Sequence, residues 1–501
     1  MIALWALVWG LLEALCIPPL PLGPLFPLVL AGMLLWVDDD TPGRAAKKGF
    51  LSGFVLQLGA LHWIHNVMNV GPAATIALGL VLLFAYLAAF QALWTWLWVH
   101  CRRLGIPWAW PFLFLGIELV RGWGQMAFPW MHIGYDLGGY LPGLQGVAWT
   151  GVYGAGLIMA ATAAVLALWK KGELPRRIWI VPALFWAMWW IGGALRWNSP
   201  GHPGKMRVAI IQPAIPQTRK WDENYFQTVM NRTWATIDRI HEKPDLWALP
   251  ETAIPDLWSW RPDEVVKIQK LAARSNSPVV VGALEYLRNP AHPDSGHLRN
   301  SAFLVRPGER GERYDKLRLV PFSEHLPFDN ILPALNQVKL GQSGFSAGES
   351  LSVWNTGIPW APAICFEMVH ADFPRLALAK GARAMVVVTN DGWFGNSLGP
   401  RQHWNIHRFH AVENGLSMVR AANTGISGAT DHIGRVLART EMMRDTALVV
   451  SVPEGPGSFY GYHGEWIDLL LWMLSAGALG MLAFRWVRQR PTAAAAGSPP
   501  R

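Results

Sequence analysis

The sequence predicts a multi-pass α-helical membrane domain of about eight transmembrane helices, joined to an α/β domain. Of the 501 residues, 52% are hydrophobic and only 15% are charged, whereas soluble domains carry about 25% charged residues. Thirty tryptophans agree with a membrane protein, because indole rings favour the boundary between lipid tails and headgroups. Long apolar stretches lie near both ends of the chain, and short strand-like runs lie between them.

Each predicted span approaches the 20 or so apolar residues that a helix needs to cross a bilayer. Seven spans precede residue 200 and one follows the α/β region: 2–19, 22–37, 48–68, 74–99, 106–123, 149–169, 177–196 and 465–485. No Lys or Arg precedes the first apolar run, so we interpret it as a helix that is kept and not as a secretory signal.

These patterns divide the chain into four parts. We predict N-terminal transmembrane helices over 1–200, an α/β domain over 206–452, a C-terminal transmembrane helix over 465–486 and a disordered tail over 487–501. The tail is predicted to be disordered because its composition is of low complexity.

Basic clusters indicate the orientation in the membrane. They occupy residues 44–48, 101–105, 170–177 and 485–490, and loops rich in Lys and Arg stay on the cytoplasmic side. Eight spans place all four clusters, and both termini, in the cytoplasm, and they place the α/β domain outside. We therefore attribute the net charge of +9 to membrane orientation and not to nucleic-acid binding.

The region 206–452 alternates short runs of β-branched and aromatic residues with helical stretches. Predicted helices cover 224–241, 262–275, 371–380 and 399–414. Predicted strands are "MRVAIIQP", "DLWALPET", "SPVVVGALEY", "NSAFLVRP", "APAICFE", "AMVVVTN", "LSMVRAANTG" and "TALVVSVP". This alternation predicts a layered α/β domain, in which functional groups lie just past the strand ends.

Cys365 stands out among three cysteines, too few for a disulfide framework. Cys16 and Cys101 fall in or beside apolar segments, which leaves Cys365 without an evident partner. A lone cysteine is either a small buried hydrophobe or a reactive thiol. A reactive thiol needs a base to take its proton and a donor that stabilises the oxyanion.

Three strand ends offer those parts. "LPET" carries Glu251, "YDK" carries Lys316 with Glu324 eight residues later, and "ICFE" carries Cys365 and Glu367. Taken alone, Glu251 could cap a turn and Lys316 could be a solvated charge. Their position at strand ends predicts that carboxylate, ammonium and thiol meet at one edge.

The motifs "AIIQP", "LPET", "YDK…VPF", "ICFE", "NDGWFG" and "RAANTG" occur in an order that resembles the nitrilase superfamily. That resemblance implies a four-layer α-β-β-α sandwich with a Glu-Lys-Cys triad. With seven spans before it, one after it, and "ELVRG" followed by "FPW" at 118–130, the chain up to about residue 490 resembles the apolipoprotein N-acyltransferase family.

The resemblance implies a ping-pong acyl transfer. Cys365 takes an acyl chain from a phospholipid as a thioester, and the α-amino group of the N-terminal diacylglyceryl-cysteine of a lipoprotein then attacks it. Glu251 acts as the general base, and Lys316 stabilises the oxyanion together with the backbone N–H of Phe366. Many members carry Tyr where this chain has Phe366, so a hydroxyl contact is lost there while the N–H remains.

The resemblance also implies supporting residues and a location. Glu324 and Glu367 support the charges, although buried ion pairs are an alternative role for them. Trp221 and Trp393 are expected on mobile loops near the acyl entrance, although both could serve packing alone. The expected location is the bacterial inner membrane, with a periplasmic catalytic domain and no cofactor; for the oligomeric state, which the sequence leaves open, a monomer is our default expectation.

Other interpretations stay open. A membrane-tethered amidase would use the same triad to hydrolyse a C–N bond, and a transporter or receptor would carry a degenerate outer domain. The spacing of His403, His407 and His410 could suit zinc, but no carboxylate or cysteine follows with ligand spacing, so we predict no metal site. Glu118 and Arg121 lie near a span and either pair with each other or bind a lipid headgroup.

Overall fold

The computed structural model describes residues 2–67, 73–289, 292–309, 311–328, 331 and 344–489. Within the predicted tail, residues 490–501 lie outside the described residues. Helices of the N-terminal part are α1 Ile2–Cys16, α2 Phe26–Val37, α3 Pro42–Leu61, α4 Ala73–Arg103, α5 Trp110–Arg121, α6 Leu141–Leu144, α7 Val147–Lys170 and α8 Ile180–Trp197.

Every predicted span contains a helix, but the helices differ in length. By length and composition, three of the described helices can cross a membrane: Ala74–Arg103, Val147–Lys170 and Phe459–Arg488. Helices α2 and α5 have 12 residues each, about 18 Å at 1.5 Å per residue, which is shorter than the roughly 30 Å hydrocarbon core. The prediction of eight transmembrane helices is therefore not confirmed, and the count stays a prediction.

The predicted basic clusters meet at one end of the helical bundle. Arg102 pairs with Asp38 at 2.8 Å, Lys171 pairs with Asp38 at 3.1 Å and Lys48 pairs with Asp40 at 2.5 Å. Three clusters that lie far apart in the sequence therefore meet at the same end of the bundle, and the side of the membrane on which this end lies stays a prediction.

The remaining elements form the α/β region and the last helix. Its helices are α9 Gln217–Lys220, α10 Phe226–Ile237, α11 Pro262–Ser275, α12 Asp372–Ala379, α13 Gly399–Asn414 and α14 Phe459–Arg488. Its strands are β1 Met206–Gln212, β2 Leu246–Ala248, β3 Ile254–Leu257, β4 Val279–Asn289, β5 His292–Val305, β6 Glu312–Asp315, β7 Trp354–Asn355, β8 Pro359–Ile364, β9 Ala384–Thr389, β10 Ser417–Ala422, β11 Gly428–Thr430, β12 Val436–Arg439 and β13 Thr446–Val452.

The strands form two sheets. The first has the order β13-β1-β2-β4-β5-β6, with β3 beside β4, and the second has the order β12-β11-β10-β9-β8-β7. Strands β1, β2 and β4 run parallel in the first sheet, and β8, β9 and β10 run parallel in the second. Parallel strands end at one edge, so the segments after β2 and β8 lie where ligand groups usually gather.

The sheets pack face to face between two helical layers. Val208 and Ile210 of the first sheet share a core with Val386 and Val388 of the second. On the other face of the first sheet, Ile211 and its neighbours pack against α10 and α11. Helices α12 and α13 cover the second sheet, so the predicted four-layer α-β-β-α arrangement is present.

Helix α13 joins the sandwich to the membrane helices. Ala411 belongs to the core between the sheets. Ile406 and Phe409 belong instead to the large apolar cluster formed by the N-terminal helices, which also contains Trp130. Helix α13 therefore packs into the apolar interiors of both halves of the chain.

Candidate active site

The predicted triad lies just past three strand ends. Glu251 follows β2, Lys316 follows β6 and Cys365 follows β8. All three side chains are buried. Cys365 has a φ angle of +51°, an uncommon conformation for a residue with a side chain. The chain turns there from β8 into the 3-10 helix Cys365–Val369, and such strained positions cluster at active sites.

A chain of hydrogen bonds joins two carboxylates to the lysine. The side-chain amide of Asn300 donates to Glu251 at 2.8 Å and to Glu324 at 3.2 Å. The Lys316 ammonium then donates to Glu324 at 2.9 Å. The structure thus brings Glu251, Lys316 and Glu324 together, and Asn300, which the sequence did not single out, links them.

Charges at the site act on the thiol and the ammonium. Burial would lower the pKa of Lys316, but the charges of Glu324, Glu251 and Cys365 together raise it, so this side chain is a stable cation. Burial and the charge of Glu251 raise the pKa of Cys365, whereas Lys316 lowers it. At neutral pH the resting thiol is therefore protonated and needs a base. Among the neighbouring charges, that of Glu251 acts most strongly on the thiol.

Glu367 links the segment that follows Lys316 to the turn at Cys365. Its carboxylate accepts four hydrogen bonds: from the Tyr314 hydroxyl at 2.7 Å and from the backbone N–H groups of Leu317 at 2.6 Å, Arg318 at 3.2 Å and Ile364 at 2.7 Å. Leu317 follows Lys316, and Ile364 precedes Cys365. One buried carboxylate therefore fixes the spacing between the ammonium and the thiol.

The remaining predicted residues surround the triad without hydrogen bonds to it. Phe366 is buried and packs into the apolar cluster of the membrane helices. Trp221 directly follows α9, and Trp393 lies in the 3-10 helix Asp391–Phe394. Among the described residues, neither indole donates a hydrogen bond to the triad, and the role of the two loops stays a prediction.

Sequence reasoning missed two further neighbours of the triad. Lys220 donates to the backbone carbonyl of Glu251 at 2.9 Å, and the Thr389 side chain forms a hydrogen bond that lowers the pKa of Cys365. Lys220 directly precedes Trp221, which the sequence had singled out. Thr389 is the last residue of β9, the strand next to β8. Its position at a strand end could therefore have been used to predict that it lies at the site.

The histidines of α13 contact neighbouring charged side chains. His403 approaches Asp391 at 3.1 Å, His407 contacts Arg420 at 2.6 Å and His410 contacts Glu413 at 2.6 Å. Burial and then the charge of Arg420 lower the pKa of His403 to about 4. No group of three or more His, Cys, Asp or Glu in the described ranges could hold a metal ion.

Glu118 and Arg121 pair with each other in the structure at 2.9 Å. The same carboxylate accepts from the backbone N–H of Ile133 at 3.0 Å and lies 3.3 Å from His132. The sequence left open whether these residues pair with each other or bind a lipid headgroup, and the observed contacts are those of an internal ion pair.

Comparison with known proteins covers most of the chain. The family "Apolipoprotein N-acyltransferase N-terminal domain" matches residues 9–165, and the family "Carbon-nitrogen hydrolase" matches residues 207–455. An amidase from Nesterenkonia sp. AN1 is similar at 18% identity, over 52% of this chain and 99% of that one, with a TM-score of 0.37.

Two curated relatives are both named apolipoprotein N-acyltransferase. The protein from Geobacter metallireducens is 32% identical, over 96% of this chain and 95% of its own length. The protein from Pseudomonas putida is 32% identical, over 89% of both chains. Because this similarity extends through the helical part and the sandwich alike, the chain belongs to the apolipoprotein N-acyltransferase family.

Proposed function

We propose that this protein transfers an acyl chain from a phospholipid to the α-amino group of the N-terminal diacylglyceryl-cysteine of lipoproteins. The reaction proceeds in two steps through a thioester on Cys365. Glu251, Lys316 and Cys365 form the catalytic triad. The observation that carries the proposal is the buried thiol of Cys365, whose pKa the charges of Glu251 and Lys316 shift in opposite directions, next to Phe366, which packs into the apolar cluster of the membrane helices.

In the first step, Glu251 removes the proton from the Cys365 thiol, and the thiolate attacks the ester carbonyl of the phospholipid. Lys316 and the backbone N–H of Phe366 stabilise the resulting oxyanion. The C–O bond then breaks, and the lysophospholipid oxygen leaves with the proton held by Glu251. The products are the acyl thioester and a lysophospholipid.

In the second step, the α-amino group of the lipoprotein attacks the thioester carbonyl. Glu251 accepts a proton from the nitrogen, the C–S bond breaks and the Cys365 thiol is restored. The net reaction converts one ester and one amine into one amide and one lysophospholipid. No water takes part, so the site must keep the thioester dry between the two steps.

Burial in apolar surroundings supports this requirement. Phe366, next to the nucleophile, packs into the cluster of the membrane helices. An acyl chain bound along such a surface gains about 0.8 kcal/mol for each buried CH₂ group. We assign Glu324 and Glu367 to support of the triad, and Trp221 and Trp393 to the loops beside the acyl entrance.

We further propose that the protein is a monomer of the inner membrane, with both termini cytoplasmic and the sandwich in the periplasm. The basic residues that meet around Asp38 and Asp40 support a single cytoplasmic end of the bundle. In this orientation the catalytic domain faces lipoproteins that have crossed the membrane.

An acyl-thioester trap tests the function. Purified protein is incubated with acyl-labelled phospholipid, and the label on the protein is measured before and after neutral hydroxylamine. We expect a hydroxylamine-sensitive label on Cys365 in wild type and no such thioester in Cys365→Ser. Cys101→Ala, a buried cysteine on the apolar helix α4, is the matched control and should label like wild type.

The same trap separates the two enzymatic hypotheses. A transferase holds its thioester until a diacylglyceryl peptide with a free amine is added, and it then forms an amide. A membrane-tethered amidase would release ammonia from amide substrates and would need no phospholipid. Absence of any thioester in wild type, together with amide hydrolysis, would replace the proposed function by the amidase.

A further inference from the structure

A second lysine lies beside the triad. Lys220 ends α9, its side chain is 2% exposed, and its ammonium donates to the backbone carbonyl of Glu251 at 2.9 Å. Among the hydrogen bonds of the described residues, this is the one that its ammonium makes. Burying a charged lysine costs free energy, so we expect a functional role for Lys220 at this position.

The groups that face Lys220 are those of the proposed reaction. Burial lowers the pKa of Lys220 to about 7, and the charges of Glu251 and Cys365 raise it. The charges that act most strongly on the thiol are those of Glu251, Lys316 and Asp391, and the interaction between Lys220 and Cys365 adds to them. Lys220 is therefore coupled to the base and to the nucleophile, while its hydrogen bond holds the backbone of the base.

The charge balance of the site indicates why a second cation is useful. Glu251 and Glu324 bring two carboxylates, whereas Lys316 brings one ammonium. Asp391 is separately paired with Arg420 at 2.5 Å. With Lys220 protonated, the two carboxylates face two ammonium groups, and moving the thiol proton to Glu251 leaves that balance unchanged.

We propose that Lys220 is a positioning residue for the acyl transfer: its hydrogen bond fixes the turn that carries Glu251, and its positive charge favours the Cys365 thiolate. This inference rests on the roles proposed above for Glu251 and Cys365. Lys220 gives up no proton in the reaction. The thiol proton goes to Glu251 and not to Lys220.

Thiol alkylation tests the charge directly and needs no lipid. The full-length protein in detergent is treated with iodoacetamide at pH 6, where Lys220 is protonated, and mass spectrometry follows the peptide that contains Cys365. Lys220→Met removes the charge and the hydrogen bond. Lys220→Gln removes the charge but keeps an N–H donor for the Glu251 carbonyl.

We expect both variants to alkylate Cys365 about tenfold more slowly than wild type. A nearby cation lowers the pKa of an acid by about one unit or more, and the thiolate fraction well below the pKa changes tenfold per unit. Lys220→Arg keeps the charge and should recover most of the rate. Lys267→Met, at a lysine of α11 that pairs with Glu264 at 2.6 Å, should alkylate like wild type.

The inference is overturned if Lys220→Gln alkylates like wild type, or if Lys220→Arg is as slow as Lys220→Met while both melt like wild type. Thioester formation from phospholipid is measured in parallel and should fall about tenfold in Lys220→Gln. A wild-type protein that forms no thioester, yet shows the expected alkylation pattern, would contradict the proposed function and leave the role of Lys220 at the thiol intact.

Discussion

Asn300 shares one amide between the two carboxylates of the site, so its replacement should affect both. In Asn300→Asp a third carboxylate would face Glu251 and Glu324, and like charges raise one another's pKa. A Glu251 that already holds a proton at the assay pH cannot take one from the thiol, and the added negative charge also disfavours the Cys365 thiolate. We expect thioester formation to slow by about a hundredfold, the low end of what a general base contributes. The rate is measured with labelled phospholipid in a single turnover.

Asn224→Asp is the control for that experiment, because Asn224 is exposed, contacts Asp222 and makes no hydrogen bond to the triad among the described residues. It should react like wild type. An Asn300→Asp variant with an unchanged rate would show that the amide is dispensable and that Glu251 keeps its basicity without it.

Glu367 predicts a pH dependence of stability. Burial raises its pKa from 4.5 to about 7, although the Tyr314 hydroxyl and the Ile364 N–H lower it in part. The folded state therefore binds this proton more tightly than the unfolded state. The stabilisation is complete below pH 4.5 and is lost as the pH rises through about 7.

Glu367→Gln cannot ionise, so it isolates this contribution. From pH 4.5 to pH 7, wild type should lose about 3 kcal/mol of unfolding free energy relative to Glu367→Gln. Chemical denaturation at several pH values measures the difference. A difference that does not change with pH would mean that the four hydrogen-bond donors hold the carboxylate ionised throughout.

At the residue scale, the sequence predicted Glu251, Lys316, Cys365 and the supporting carboxylates Glu324 and Glu367, but it missed Asn300 and Lys220, which bond to them. Glu251, Lys316 and Cys365 follow strands, and strand ends can be read from apolar runs that stop. Asn300 lies inside β5, and Lys220 ends a four-residue helix. Nothing in their immediate sequence shows which distant backbone or carboxylate they reach, because those contacts depend on strand register and on loop paths.

At the scale of elements, Gln402 of α13 holds the membrane helices against the sandwich. Its side-chain oxygen accepts from the indoles of Trp63 and Trp130, both at 3.0 Å, and its amide donates to the carbonyl of Ala60 at 3.0 Å. Gln402→Leu would leave two indole N–H groups and one carbonyl buried without partners. Each such group costs about 1–3 kcal/mol, so we expect a clear loss of thermal stability.

The melting temperature in detergent checks this prediction. Gln227→Leu is the matched control, because Gln227 lies exposed on α10 and bonds only to Asn231 among the described residues; its melting temperature should stay close to wild type. A Gln402→Leu protein that melts like wild type would show that apolar packing alone holds α13 against the bundle.

The elements themselves were predicted where their patterns are long. The bounds predicted for α11 and α13 equal the observed ones, and all eight predicted strand runs contain strands. Two short strands were not predicted. Strand β7 has two residues and β11 has three, which is too few for an alternation to be visible. Helix α14 begins at Phe459, before the predicted start at 465, because Ser458 caps it by accepting from the N–H of Gly461 at 2.8 Å and its first turns are not apolar.

At the scale of the whole molecule, the orientation in the membrane is testable across α8. Single cysteines are placed at Lys170→Cys and Ser199→Cys in a background without native cysteines, and intact spheroplasts are treated with a membrane-impermeant maleimide. Ser199→Cys should be labelled. Lys170→Cys should be protected until the membrane is opened, because the basic cluster 170–177 is held inside.

Helix α8 has 18 residues, about 27 Å. Whether α8 crosses the membrane is therefore the most informative test of the predicted topology. Labelling of both cysteines in intact spheroplasts would mean that α8 lies along the surface, and the predicted count of spans would fall. Protection of both would reverse the placement of the sandwich.

Phe366 connects the nucleophile to the lipid environment. Its ring belongs to the same apolar cluster as Trp130 and Phe26 of the membrane half, one residue away from the thiol. The choice of detergent should therefore affect the reaction. A detergent that enters between those helices should alter the reactivity of Cys365 while the two sheets are still intact. Activity measured in different micelles would report on the solubilising agent as much as on the enzyme.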